Sequence, residues 1–171
     1  MAKLKIALYW AASCGGCEIA TLAIGDKILK LAEVADIVFW PVGIDFKYAD
    51  VEKMADQSID VCLFNGAIRT SENEHIAKLL RAKSKIMIAY GSCAYEGCIP
   101  GLSNFYNRQM TFDRAYIETP STDNPEKIFP QTKVKVPEGE LEIPEFYDTV
   151  KTLAQTVDVD YFVPGCPPEE K

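Results

Sequence analysis

The sequence has almost no histidine, no block of positive charge and no long hydrophobic run. His75 is the single histidine. Lysine and arginine number 18 against 25 acidic residues, a formal net charge of −7 at pH 7. An acidic chain without a basic cluster is a poor candidate for binding nucleic acid through its phosphates. No window approaches the ~20 consecutive apolar residues that a spanning helix needs. The opening Met1-Ala2-Lys3-Leu4-Lys5-Ile6 runs directly into a strand-like pattern. It lacks the apolar core and cleavage site of an export signal, so a cytoplasmic chain is expected. No internal repeat is seen. What is present is the composition of a soluble globule, 48% hydrophobic and 25% charged over 171 residues. That is too apolar for disorder. A domain of this size buries roughly 70% of its unfolded surface and needs no disulfides to build a core. Six cysteines then stand out. Without an export signal they read as ligands or catalysts rather than as bridges.

Short apolar runs alternate with helical stretches. Leu4–Trp10, Ile37–Val42, Ile59–Phe64 and Lys85–Tyr90 read as strands, and Tyr161–Val163 opens a fifth. Helical spacing covers Ile19–Ala32, with Ile19, Leu22, Ala23, Ile28, Leu29 and Leu31 near one face. A short helix is expected over Ala49–Ala55. Another runs to about Ala82, capped by Ser71 with Glu74 closing a capping box. Phe146–Val157 reads as an amphipathic helix. Near-continuous apolar strands between helices predict a parallel sheet covered on both faces. The expected architecture is a flavodoxin-like, doubly wound α/β domain of about five strands in the order 2-1-3-4-5, spanning 1–171. Between Gly101 and Glu145, about 102–144, the pattern breaks at Pro120, Pro125, Pro130, Pro137 and Pro144. This stretch is expected to be an ordered, partly extended insertion. So long a loop is usually functional or lies against a partner.

The cysteines fall in particular places. Cys14 and Cys17, in Ser13-Cys14-Gly15-Gly16-Cys17, follow the first strand and open a helix. Cys93, in Gly91-Ser92-Cys93, follows the fourth strand. Cys166, in Pro164-Gly165-Cys166-Pro167-Pro168, follows the fifth. All four therefore lie at the carboxyl ends of parallel strands, the edge where open α/β sheets bind ligands. A cluster of four irons and four sulfides needs four thiolates. Gly15 and Gly16 let the backbone wrap closely, and the start of the helix favours an anionic group.

Other readings of the same residues stand beside this one. A CxxC at a helix start also suits a thioredoxin-like redox pair. That leaves Cys93 and Cys166 without a role. Four thiolates also suit zinc, although structural zinc usually takes two close CxxC pairs and only one is present. A flavin is disfavoured, because the first loop presents two thiols where a phosphate loop would be rich in Ser, Thr and Gly. Cys62 lies mid-strand between Val61 and Leu63 and reads as a small core residue. Cys98 is a spare thiol near the cluster loops and an alternative ligand. His75 reads as a surface residue.

The motifs Ser13-Cys14-Gly15-Gly16-Cys17-Glu18, Gly91-Ser92-Cys93-Ala94 with Gly97-Cys98-Ile99-Pro100-Gly101, and Pro164-Gly165-Cys166-Pro167-Pro168 resemble the small subunit of nickel–iron hydrogenases. Asn65-Gly66-Ala67-Ile68 adds to the likeness. The nearest type is the methyl-viologen-reducing one, associated with heterodisulfide reductase. The resemblance implies one proximal 4Fe-4S cluster held by Cys14, Cys17, Cys93 and Cys166. It implies a large-subunit partner that carries the nickel–iron centre where hydrogen is split. This chain would then be an electron relay rather than the site of that reaction, with a further iron–sulfur or flavin subunit beyond it. Glu18 carries a family implication of proton movement. An acidic residue in a first helical turn also simply complements the helix dipole, and that reading is preferred here. Trp10, Tyr9 and Tyr95 read equally as a shield for the cluster or as ordinary core and interface aromatics. Family members typically continue into a domain with further clusters, whereas this sequence stops five residues after Cys166. Either it is a fragment or short form, or the electrons pass to another polypeptide. The alternatives are a relay subunit like that of respiratory complex I, where two adjacent cysteines are typical, and a stand-alone flavodoxin-like protein.

Overall fold

The computed structural model describes residues 2–169. Strands β1 (Leu4–Trp10), β2 (Ala35–Phe39), β3 (Ile59–Asn65), β5 (Ser84–Tyr90) and β9 (Tyr161–Val163) form one parallel sheet in the order β2-β1-β3-β5-β9. The numbering counts β4 (Ile68–Thr70) between the third and fourth sheet strands. This is the expected 2-1-3-4-5 order of the flavodoxin-like fold. The strands are rich in Ile, Val, Leu and Phe, as a sheet buried on both faces requires. Phe39, Phe64, Ile59, Met87 and Leu80 are fully buried in its core. Each such side chain contributes about 1.5–3 kcal/mol when removed from water. Among the described residues no helix is long and apolar enough to cross a membrane.

The register of the sheet decides where its loops begin. Trp10 stands opposite Asn65, Asn65 opposite Tyr90, and Tyr90 opposite Val163. Four strands therefore end on one line at the carboxyl edge.

Helices α1 (Gly16–Leu22), α2 (Lys27–Val34), α3 (Tyr48–Glu52) and α4 (Ser71–Lys83) connect the strands, with short α5 (Ser92–Glu96) and α6 (Cys98–Gly101) after β5. The single helix expected over Ile19–Ala32 is two. Gly25 adopts a left-handed φ of 63° and the chain turns there. The cap of α4 is Thr70, not Ser71. Its hydroxyl accepts from the Asn73 N–H, and the Asn73 side chain returns the bond, so Asn73 closes the box in place of Glu74. The short helix begins at Tyr48 and ends at Glu52 rather than running from Ala49 to Ala55.

The helix expected over Phe146–Val157 is absent. The segment forms strand β8 (Phe146–Lys151), paired antiparallel with β4, and then a 3-10 turn over Leu153–Gln155. Thr149 and Val150 are β-branched and suit a strand once a partner edge is available, and Thr152 caps the turn that follows. The stretch from 102 to 144 carries helix α7 (Arg108–Asp113), a π-helical turn over Arg114–Glu118, and an exposed hairpin of β6 (Lys133–Val136) and β7 (Gly139–Glu142). It is pinned by its own contacts. Phe112 packs against Tyr116, Phe129 and Phe146. The Asn104 side chain exchanges two hydrogen bonds with the Val150 backbone.

Edge strand β9 is held by Asp160. Its carboxylate accepts from the Met87 N–H at 2.7 Å and from Arg81, whose guanidinium also donates to the Ser84 and Lys85 carbonyls. These bonds, the Met87 N–H first, hold the Asp160 carboxyl below its ordinary range. A carboxylate depressed in the folded state stabilises above its unfolded pKa, near 3.9, and loses that contribution as the pH falls through the lower folded value. Asp160→Asn should therefore cost about 1 kcal/mol at neutral pH, a partly exposed pair being discounted for solvent. In thermal melts the gap between wild type and variant should shrink as the pH is lowered toward about 2.

Candidate metal centre

The first loop is shaped from both sides. After β1 the Ala11 N–H donates to the Asn65 carbonyl, and Ala12 bridges to Ala67. Trp10 folds its indole over Gly15, where an added Cβ would lie 2.9 Å from the ring. The Trp10 Nε1–H donates to the Ser13 carbonyl at 3.2 Å. Within this turn the Gly16 N–H points at Cys14 Sγ, 3.4 Å away. Cys14 is exposed, and Cys17, on the first turn of α1, is buried.

The second and third loops are bonded to each other. The Gly91 N–H donates to the Val163 carbonyl and the Ser92 N–H to the Gly165 carbonyl, both at 2.8 Å. The Gly165 N–H donates back to Ser92 Oγ at 3.2 Å. Gly91 has φ +86°, and a Cβ there would sit 2.3 Å from Cys17 Sγ. The sulfur of Cys17 therefore rests over the end of β5, two strands from its own. Cys14, Cys17, Cys93 and Cys166 line one small cleft of about 50 Å³ with Ser13, Gly16, Ser92, Gly165 and Pro167. Ser92 is the residue here whose role the sequence did not reveal. Its place in Gly91-Ser92-Cys93 was visible, but its bond to Gly165 depends on the pairing of β5 with β9.

The thiols act on one another. Burial, and then the neighbouring Cys14 and Cys166, push Cys17 up to about 11. Burial, and then Cys98, Cys17, Cys166 and Cys14, push Cys93 up to about 12. The exposed Cys166 is raised chiefly by a hydrogen bond with Cys98. Cys98, at φ +40°, thus stands beside Cys166, although it does not line the cleft. Cys62 is fully buried in mid-sheet, with burial raising it to about 12. Among the described residues no three His, Cys, Asp or Glu side chains are gathered as a single metal ion would require.

Glu18 has partners beyond the helix it opens. It stands in the first turn of α1, where an acidic group complements the helix dipole, but it is also buried, 4% exposed, and hydrogen-bonded. Its carboxylate accepts from Trp40 Nε1–H and, at 3.4 Å, from Asn65 Nδ2–H. Burial raises its pKa against the effect of these two bonds. Tyr9 belongs to the core, packed against Phe39, Tyr48 and Phe64. Trp10 covers the first loop, and Tyr95 packs on Phe162 of β9. His75 and Glu96 are exposed.

Comparison with known proteins adds to this geometry. The family model described as NADH ubiquinone oxidoreductase, 20 Kd subunit, matches residues 14–171. The iron-sulfur subunit of the F420-non-reducing hydrogenase of Archaeoglobus profundus is 46% identical over 166 residues, covering 96% of this chain and 52% of that protein. The delta subunit of the NAD-reducing hydrogenase HoxS of Cupriavidus necator is 25% identical over 167 residues, covering 98% and 73%. A chain of an NAD+-reducing NiFe-hydrogenase crystal structure in the H2-reduced state superposes with a TM-score of 0.82 at 26% identity, over 98% of this chain and 85% of that one. The chain spans about half the length of the F420-non-reducing relatives it matches.

The closeness of Gly91 to Cys17 gives a direct test. Gly91→Ala places a methyl group inside the Cys17 sulfur and a side chain at φ +86°. It should cost about 1–3 kcal/mol in denaturant unfolding. Gly101→Ala, where a Cβ meets nothing, should cost less than about 0.5 kcal/mol.

Proposed function

The chain belongs to the NADH ubiquinone oxidoreductase 20 Kd subunit family, and from that premise we propose that it is the electron-transfer small subunit of a nickel–iron hydrogenase. In this reading Cys14, Cys17, Cys93 and Cys166 hold one 4Fe-4S cluster. The supporting observation is that four thiols from three loops line a single cleft where the parallel strands end. The residues suit the group. Thiolates are the usual iron–sulfur ligands, and such a cluster spreads its ligands wider than a single ion does. Gly91, where a Cβ would strike Cys17, keeps a side chain out of the cradle.

When bound, such a cluster takes up and releases single electrons. The chain's own residues do the rest. The Ser92–Gly165 bonds keep the Cys93 and Cys166 loops together. Trp10 caps the first loop and keeps water off Gly15. The Gly16 N–H donates to the sulfur of Cys14, and donors of this kind tune a thiolate ligand. Because burial and crowding hold protons on Cys17 and Cys93, loading must release those protons, and affinity should rise with pH.

Hydrogen splitting belongs, in this reading, to a large-subunit partner that carries the nickel–iron centre. Electrons then leave to a further iron–sulfur or flavin subunit, with a heterodisulfide reductase complex as the acceptor system. A cytoplasmic assembly is part of this reading, because a reducing compartment keeps thiols free to hold a cluster. The named relatives are hydrogenase subunits, which favours this reading over a complex-I-like relay.

Anaerobically purified protein should contain about four irons and four acid-labile sulfides per chain. Zinc, or no metal, would overturn the assignment. Cys166→Ala should abolish the cluster's EPR signal and hydrogen-dependent dye reduction by the complex. Cys62→Ala, in the core, should leave both in place. An unchanged signal in the Cys166 variant would transfer the fourth position to Cys98.

A further inference from the structure

Glu18 is a buried acidic side chain to which the proposed relay assigns no part. It lies one residue beyond Cys17 on the first turn of α1. Its two partners come from elsewhere in the sheet. Trp40 comes directly after β2, and Asn65 is the last residue of β3. Both are buried, Trp40 at 4% and Asn65 at 0% exposure. The Asn65 Oδ1 atom is buried and has no partner. The indole of Trp40 is itself fixed, because the next turn brings Gly43 against it, where an added Cβ would lie 2.7 Å from the ring. That turn is closed by Gly43 and Ile44 N–H bonds to the Trp40 carbonyl.

Burying a carboxylate is expensive unless it is hydrogen-bonded. Once it is bonded, removing it leaves the Trp40 N–H and the Asn65 amide without an acceptor, at about 1–3 kcal/mol for each stranded group. The bonds therefore tie the first turn of α1 to the ends of two strands. Trp10 separately closes the Ser13–Gly15 turn that precedes it.

We infer that Glu18 is the positioning residue of Cys17. Its carboxylate, acting through Trp40 and Asn65, locks the CxxC turn over the end of β5, whether or not a metal is bound. The role rests on the reading of Cys17 as a ligand. It requires an acceptor at this position, not a charge or a mobile proton. Glutamine meets the requirement: its oxygen accepts from Trp40, and once the Asn65 amide turns over its own amide donates to Asn65 Oδ1, which is unpartnered in the wild-type chain.

The test is the rate at which iodoacetamide labels each cysteine in the full 171-residue, metal-free chain, read by peptide mass spectrometry. Cys62, fully buried in the sheet, reports global opening within the same molecule. Glu18→Ala should speed Cys17 labelling about tenfold or more while Cys62 stays at the wild-type rate. That tenfold corresponds to about 1.4 kcal/mol of local opening. Glu18→Gln should stay within about twofold of wild type at both positions. Trp40→Phe keeps an aromatic side chain and removes the N–H donor together with part of the indole, so with Cys62 reporting any general loosening it decides the matter if Glu18→Ala does not fold. It should speed Cys17 severalfold with Cys62 unchanged. Cys17 labelling that is unchanged in Trp40→Phe, that rises in step with Cys62, or that is as fast in Glu18→Gln as in Glu18→Ala would overturn the inference. Because no metal is present in this assay, its failure is separate from a failure of the iron and sulfide count.

Discussion

Parallel pairing in register brings four strands to an end at Trp10, Asn65, Tyr90 and Val163, and the thiol cleft exists because they end together. Neighbouring strands are about 4.8 Å apart, so β1 and β9 lie roughly 14 Å apart across the sheet. No single loop could supply four thiols across that span. The solution is a short leader on each strand: Cys14 four residues past Trp10, Cys93 three past Tyr90 and Cys166 three past Val163. Cys17 then reaches back over β5, which the left-handed Gly91 permits. A one-residue slip of β9 would carry Cys166 out of line and invert the strand's faces. This is why Asp160, far from the cleft, bears on the site. It fixes β9 to β5 at the opposite end of the strand.

The same edge gathers groups that resist being together. Beyond burial, Cys14 and Cys166 raise the pKa of Cys17, and Cys98, Cys17, Cys166 and Cys14 raise that of Cys93, while Glu18 adds a buried carboxylate beside them. Burial favours the neutral thiol at Cys17 and Cys93, and it works against the Glu18 carboxylate, which the bonds from Trp40 and Asn65 support. A cationic cluster core would reverse the balance, because it favours thiolates where burial disfavours them. The arrangement therefore stores no advantage for the empty chain. Its order comes from bonds outside the thiols: Trp10 to Ser13, Ser92 with Gly165, and Glu18 with Trp40 and Asn65.

Much of this was legible in the sequence. The strands were marked by β-branched and aromatic runs, and their alternation with helices gave the strand order. The cysteines' places at strand ends followed from that order alone. What escaped was whatever depends on tertiary pairing. Phe146–Lys151 has helical spacing of its apolar residues, but its β-branched residues pair with β4, an edge no local pattern announces. Gly25 broke a helix whose periodicity ran through it. Glu18 carried the signature of a helix start, which the structure keeps. Only the approach of Trp40 and Asn65, 22 and 47 residues away, makes it a buried acceptor.

The burial of the thiols is uneven, and that bears on electron transfer. Cys17 and Cys93 are buried while Cys14 and Cys166 are exposed, so the chain encloses only one side of the cleft. The potential of an iron–sulfur cluster depends on its solvent exposure and on hydrogen bonds to its sulfurs. The buried side is governed by this chain, through Ser92 and Gly91 around Cys17 and Cys93, while on the exposed side the Gly16 N–H donates to Cys14. The exposed side would be governed by whatever covers Cys14 and Cys166. Under the proposed function a partner seated there does two things at once: it brings its own redox centre within reach, and it removes water from the open half of the shell. Assembly and potential are then coupled through the same two exposed thiols.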